Sequence, residues 1–199
     1  MIGPVLFLLT FTLEGWLRPG YQSRSMFVSE LALGPRGSIQ SVNFVVFGVL
    51  FLMFTRGVSR KFQSGKASRA GPVLLTIIGV SFLVSGFVTM DPVETPPDRM
   101  TWHGTLHGLF GALVFSLSPI SCFVFLRRFG IDPKWRWLQW WTGLAGAIIV
   151  ASVVIMAAGP TRAPALPNAF NAWNGAFQRA ALIPYLFWTF AFAYGLRRS

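Results

Sequence analysis

Hydrophobic positions along the chain gather into six long runs, residues 2–17, 39–56, 71–90, 102–126, 138–158 and 180–196, with short polar stretches between them. A hydrocarbon core about 30 Å thick is crossed by roughly 20 apolar residues in a helix. The runs therefore predict six transmembrane helices in one compact all-α bundle, with nothing left over for a soluble domain. The first run is short for a span, which a tilt or a thinned bilayer accommodates. It lacks a basic leader and a small-residue cleavage site, and reads as a retained span. Between the first two runs, residues 19–37 open and close on Pro/Gly punctuation. Inside that stretch Met26, Phe27, Leu31 and Leu33 intersperse with Ser25, Ser29 and Glu30. The pattern fits a short interfacial helix, a re-entrant cap over the bundle, or an ordered loop.

Small and polar residues refine the runs. Gly79, Ser81, Ser85 and Gly86 form a small-residue face for close packing, and Gly48 offers the same on the second run. Gln40 and Asn43, one turn apart, are either glue between helices or part of a site. Pro119 predicts a kink, because it removes a backbone hydrogen bond. Trp135, Trp137, Trp140 and Trp141 predict an aromatic belt at one interface, with Trp16 at the other.

Composition agrees: 53% of the 199 residues are hydrophobic and 12% charged, where soluble domains carry about 25% charged residues. The net charge of +11 would fit a nucleic-acid partner, but its placement argues against one. Arg56, Arg60, Lys61, Lys66, Arg69, Arg127, Arg128, Lys134, Arg136, Arg197 and Arg198 all fall on one side of a six-span arrangement. Arg18, Arg24, Arg36, Arg99, Arg162 and Arg179 fall on the other. The richer side is cytoplasmic, which puts both termini inside and makes the lipid bilayer the partner. Cys122 is the only cysteine, so disulfides and cysteine metal cages within the chain are excluded.

The chemistry concentrates in DPVETPPDRMTWHGTLH, residues 91–107, which holds both histidines and three of the six acids. Ionisable groups at a membrane boundary are costly and are functional candidates. His103 and His107 share a helical face one turn apart. Ser29, Glu30, Gln40, Asn43, Asp91, Gln178 and Arg179 all project from the same outer end, which predicts a cavity opening outward. Three chemistries fit. In the first, His103, His107 and Asp91 hold a zinc ion for hydrolysis, although the HExxH pattern is absent. In the second, Asp91 or Glu30 and a histidine work as metal-free acid and base on a lipid- or isoprenoid-like substrate. In the third, Ser29 is a nucleophile activated by histidine, without a G-x-S-x-G elbow. The structural alternative has Asp91 and His103 finishing helix ends. Arg179 at a helix start would hold an anion or, by preference, pair with Glu30 or Asp91. Two haems are excluded by two histidines on one helix, and a nucleotide by the missing glycine-rich loops.

RPGY (18–21), SELALGPRG (29–37), Gln40 with Asn43-Phe44, GFVTMDP (86–92), HGTLH (103–107), Phe115, Arg128-Phe129 and Gly175 with Gln178-Arg179 together resemble the bacterial membrane family catalogued as domain of unknown function 998. The resemblance covers nearly the whole chain. It implies six spans in the bacterial cell membrane and no established activity. There is also a similarity of logic to helical membrane hydrolases of the alkaline ceramidase and adiponectin receptor type, which set Ser, Asp and three His around zinc. Here a third ligand would have to be Asp91, Glu30 or another group. The expectation is an intramembrane enzyme whose catalytic groups are Asp91, His107, His103 and Glu30. Ser29, Gln40, Asn43, Gln178 and Arg179 would contact its substrate. The competing class is a non-enzymatic membrane protein that binds lipid or supports a transporter or partner complex.

Overall fold

The computed structural model describes residues 2–158 and 171–198, so Arg162 and most of the Pro/Asn-rich loop before the last run lie outside the described residues. Among the described residues the regular structure is all helical: α1 (Ile2–Leu17), α2 (Gly37–Lys61), α3 (Ala70–Ser85), α4 (Trp102–Ile131), α5 (Arg136–Ala158) and α6 (Asn174–Arg198). Short 3₁₀ turns cover Val28–Ala32, Pro97–Arg99 and Asn171–Trp173. Among the described residues, three helices are long and apolar enough to cross a membrane: α2, α4 and Arg136–Ala157 of α5. α1 and α3 are apolar but shorter, at 16 residues each.

Each helix packs on the next along the chain, and α1 closes the ring against α6. At one end of the bundle, Phe62 after α2, Phe125 and Phe129 of α4, Trp135 before α5 and Phe192 of α6 pack ring on ring in edge-to-face, tilted and stacked pairs, with centroids 4.8–6.4 Å apart. Such pairs add to the burial of large apolar rings. The loops at this end carry most of the cations. The starts of α2, α4 and α6 gather at the opposite end.

Small residues set the closest helix approach. A Cβ on Gly48 would come within 2.5 to 2.8 Å of the Leu83 backbone and Cβ, so α2 and α3 touch only because that position is glycine. Gly86 meets the Ser41 carbonyl in the same way, as the small-residue face of the third run predicts. Elsewhere the helix limits depart from the hydrophobic runs. α3 stops at Ser85, short of residue 90, where the chain bends to present its carbonyls to α4. α4 runs through Pro119 to Ile131, and α6 begins at Asn174, before its apolar run. The tryptophan belt also divides: Trp135 is 1% exposed and belongs to the core, while Trp137 and Trp140 face outward.

The segment after α1 is folded over the bundle. Val28, Leu31 and Ala32 of its 3₁₀ turn are buried against α1, α2 and α6. Glu14 of α1 and Arg36 ahead of α2 form a two-point ion pair at 2.5 and 3.1 Å beside it.

Candidate functional site

A small cavity lies where α2, α3, α4 and α6 meet under the 3₁₀ turn. Phe44, Phe82, Val114 and Leu182 give it apolar walls, and Ser29, Ser85, His107 and Gln178 add polar atoms. Its volume is about 30 Å³, room for one or two waters. Gly111 lines it without side-chain cover, since among the described residues nothing lies within 4 Å of where its Cβ would stand.

His107 is the chemically distinctive wall. It is 6% exposed and packs edge-on to Phe44. Its Nδ1 lies 2.8 Å from the Val88 carbonyl, which the early end of α3 makes available. A carbonyl only accepts, so Nδ1 carries the proton and, in the neutral ring, Nε2 holds the lone pair. That is how a base is oriented, with a backbone carbonyl in the role often filled by a carboxylate.

The other expected residues divide between the cavity and the framework around it. Gln178 reaches the cavity, but its Oε1 accepts from the Val28 N–H at 2.7 Å, tying α6 to the 3₁₀ turn. Ser29 lines the cavity beside it. Gln40 and Asn43 form a buried amide pair 3.2 Å apart, and Asn43 Nδ2 also donates to the Phe7 carbonyl of α1 at 3.2 Å. They act as glue between helices, although Gln40 Nε2 is buried without a partner.

Asp91 and His103 sit at the start of α4. Asp91 accepts from the Thr101 N–H and hydroxyl, both at 2.8 Å, while the Thr101 hydroxyl accepts from the Gly104 N–H at 3.1 Å. This relay satisfies the first donors of α4 as an extended N-cap. Gly104 leaves room for it, because a Cβ there would collide with Asp91 Oδ2. His103 is exposed and stacks on Trp102 with centroids 3.6 Å apart. His107, one turn on, turns inward. The expected zinc set of His103, His107 and Asp91 is therefore not assembled, and no three His, Cys, Asp or Glu side chains converge among the described residues.

Arg179 does not form the carboxylate pair expected of it. It donates to the carbonyls of Ser23, Met26 and Gly175 at 2.7, 3.0 and 2.9 Å and to the Tyr21 hydroxyl at 2.5 Å. Arg18 does the same from just after α1, reaching the carbonyls of Glu30, Leu31 and Leu33. The two arginines fasten the segment over the bundle from opposite edges. Within it, Glu30 Oε1 accepts from the Phe27 N–H at 2.7 Å. Burial holds the Glu30 carboxyl above its ordinary range, against the lowering by that bond and by Arg179 and Arg18.

The family model described as a protein of unknown function (DUF998) matches residues 1–195. The chain belongs to that family. No curated protein and no solved structure matches it. Membership covers the 3₁₀ segment, the α4 start and the Gln178-Arg179 pair in one unit, and brings no assigned reaction with it.

Ser85 and Phe44 of the cavity were not expected as site residues. Ser85 was legible only as a packing residue on an apolar helix, and Phe44 only as part of the Asn43-Phe44 pair that carries the family resemblance.

Proposed function

We propose that this member of the family is a six-span integral membrane protein, with both termini on the cation-rich, cytoplasmic side. Its outer end would carry a metal-free acid–base site for a lipid- or isoprenoid-like molecule. The observation that carries this reading is His107: buried, held through Nδ1, and lining a cavity whose walls are mostly apolar. A single base of this kind suits a proton shift, in which Nε2 takes a proton from a carbon or hydroxyl, exchanges it with solvent, and delivers a proton to another atom of the same molecule. Hydrolysis by a metal or through Ser29 has weaker support, because Asp91, Glu30 and Arg179 are engaged in framework bonds. The cavity admits only the reacting end of a chain, leaving the remainder along the bundle exterior.

The small volume also favours a second reading, in which the cavity holds a polar lipid terminus without reaction. One experiment separates the two. The protein in lipid nanodiscs is incubated in deuterated buffer with a total membrane-lipid extract, and lipids are analysed by mass spectrometry. Deuterium entering carbon positions of one lipid class, and lost in His107→Asn at unchanged melting temperature, supports the acid–base site. A lipid that copurifies in a His107-dependent way without exchange supports binding. Neither result from wild-type protein refutes both.

A further inference from the structure

At the cation-rich end, far from the His107 cavity, a groove of about 470 Å³ runs between the start of α5 and the end of α6. Lys134 and Arg198 stand at its mouth, Trp137 and Tyr194 form its sides, and Gly195 its floor. We infer that this groove binds the headgroup of an anionic phospholipid.

Three independent features point to that ligand. The first is charge. Both cations are exposed, and among the described residues no carboxylate lines the groove. The nearest acid in sequence, Asp132, is already occupied by Arg128 at 3.4 Å and by the Lys134 backbone N–H at 3.1 Å. Arg198 is held in place with its guanidinium 4.7 Å from the Tyr194 ring centroid, which leaves its in-plane donors for a phosphate.

The second is the shape of the floor. A Cβ on Gly195 would stand 2.5 Å from the Trp135 ring and 3.3 Å from Trp137, so glycine lets α6 lie against the indoles and keeps the groove open. The third is what continues from the groove. Trp137, Trp140 and Leu144 follow at helical spacing on α5 and are 55%, 87% and 49% exposed. They form an apolar track that leads from the cations towards the middle of the bundle. Cations at one end and an uncovered apolar stripe at the other reproduce the layout of a phospholipid. Free phosphate would use the first half and leave the second without purpose. Interfacial tryptophan and tyrosine stabilise the same depth.

The inference rests on the membrane insertion proposed above and is independent of His107. The test is native mass spectrometry of the detergent-solubilised protein titrated with phosphatidylglycerol or phosphatidylcholine of identical chains. Phosphatidylglycerol adducts should dominate. Each groove cation should contribute about a fivefold preference, so that Lys134→Gln with Arg198→Gln reduces the preference by about 25-fold and leaves phosphatidylcholine adducts unchanged. The control Arg56→Gln with Arg60→Gln removes the same charge from the same end outside the groove, and should leave the preference intact. Equal binding of the two lipids, or an equal loss in both double variants, overturns the inference. Displacement of phosphatidylglycerol by millimolar inorganic phosphate overturns the lipid assignment. A chain that purifies without detergent would instead refute the membrane reading itself, which keeps the two failures distinct.

Discussion

Replacing Arg179 with methionine should detach the segment that covers the starts of α2 and α6 while leaving the helices folded. Methionine keeps an apolar stem across Phe11 and Tyr21, whose rings lie 5.9 and 5.6 Å from the guanidinium, and removes every donor. Four bonds are lost, three to carbonyls and one to the Tyr21 hydroxyl. A hydrogen bond to a charged group is worth about 1.5–3 kcal/mol net. The site is half-exposed, so water recovers part of this, and bonds from one group do not add. The expected cost is about 3 kcal/mol. For a chain of this length that lowers the melting temperature by about 6–12 °C. Cys122 supplies the assay, since it is the only cysteine and fully buried, and a thiol-reactive dye reports its exposure on heating. Trypsin cleavage at the exposed Arg24 reports the segment itself and should accelerate before global melting. A melting temperature within about 2 °C of wild type, with unchanged cleavage at Arg24, would refute the clamp.

Three further outcomes follow from the same geometry. Asp91→Asn cannot accept both bonds from Thr101 and should cost about 1 kcal/mol as a weakened cap, yet leave any His107-dependent deuterium exchange in place; loss of exchange at normal stability would return Asp91 to the catalytic group. Gly48→Ala should destabilise by about 2 kcal/mol or more, because its methyl meets backbone rather than a movable side chain; a neutral effect in the dye assay would contradict the α2–α3 contact. Glu30 has a folded-state pKa raised by burial above the ordinary 4.5, so the folded chain keeps its proton longer than the unfolded one. Stability is then fullest below pH 4.5 and falls as pH rises through the elevated value. Glu30→Gln keeps the acceptor for the Phe27 N–H, and should melt higher than wild type at pH 7 and match it at pH 4; a lower melting temperature at pH 7 would contradict the burial argument.

The helices were legible because a helix that must exclude polar atoms writes its length in apolar residues, and the six runs found six helices. Their ends were less so. α3 stops early because the carbonyls at Ser85 and Val88 turn towards His107, a long-range contact that no local pattern encodes. The gathering of polar residues at one end was also visible, since the topology sends the starts of α2, α4 and α6 there. What each residue does there was not visible. A four-residue spacing places His103 and His107 on one helical face, but the neighbours decide which ring goes in: α3 covers His107, while among the described residues His103 is exposed and stacks on Trp102. Arg179 misled for a related reason. A cation among carboxylates invites an ion-pair reading, whereas unpaired carbonyls of an irregular segment compete for the same donors and leave no trace in the side-chain sequence.

The double fastening of that segment has a consequence for traffic. To lift it, three bonds from Arg18 and three from Arg179 must break together, so the segment covers the cavity from the end of the bundle. The uncovered flank is at Gly111, and the next small position on that helix, Gly108, also has open space around it. A visitor to His107 would therefore arrive by diffusing in the plane of the bilayer and turning inward between side chains. Selection would then begin with partitioning: only molecules already dissolved in the membrane reach the cavity, and water-soluble analogues are rejected before any contact with the site.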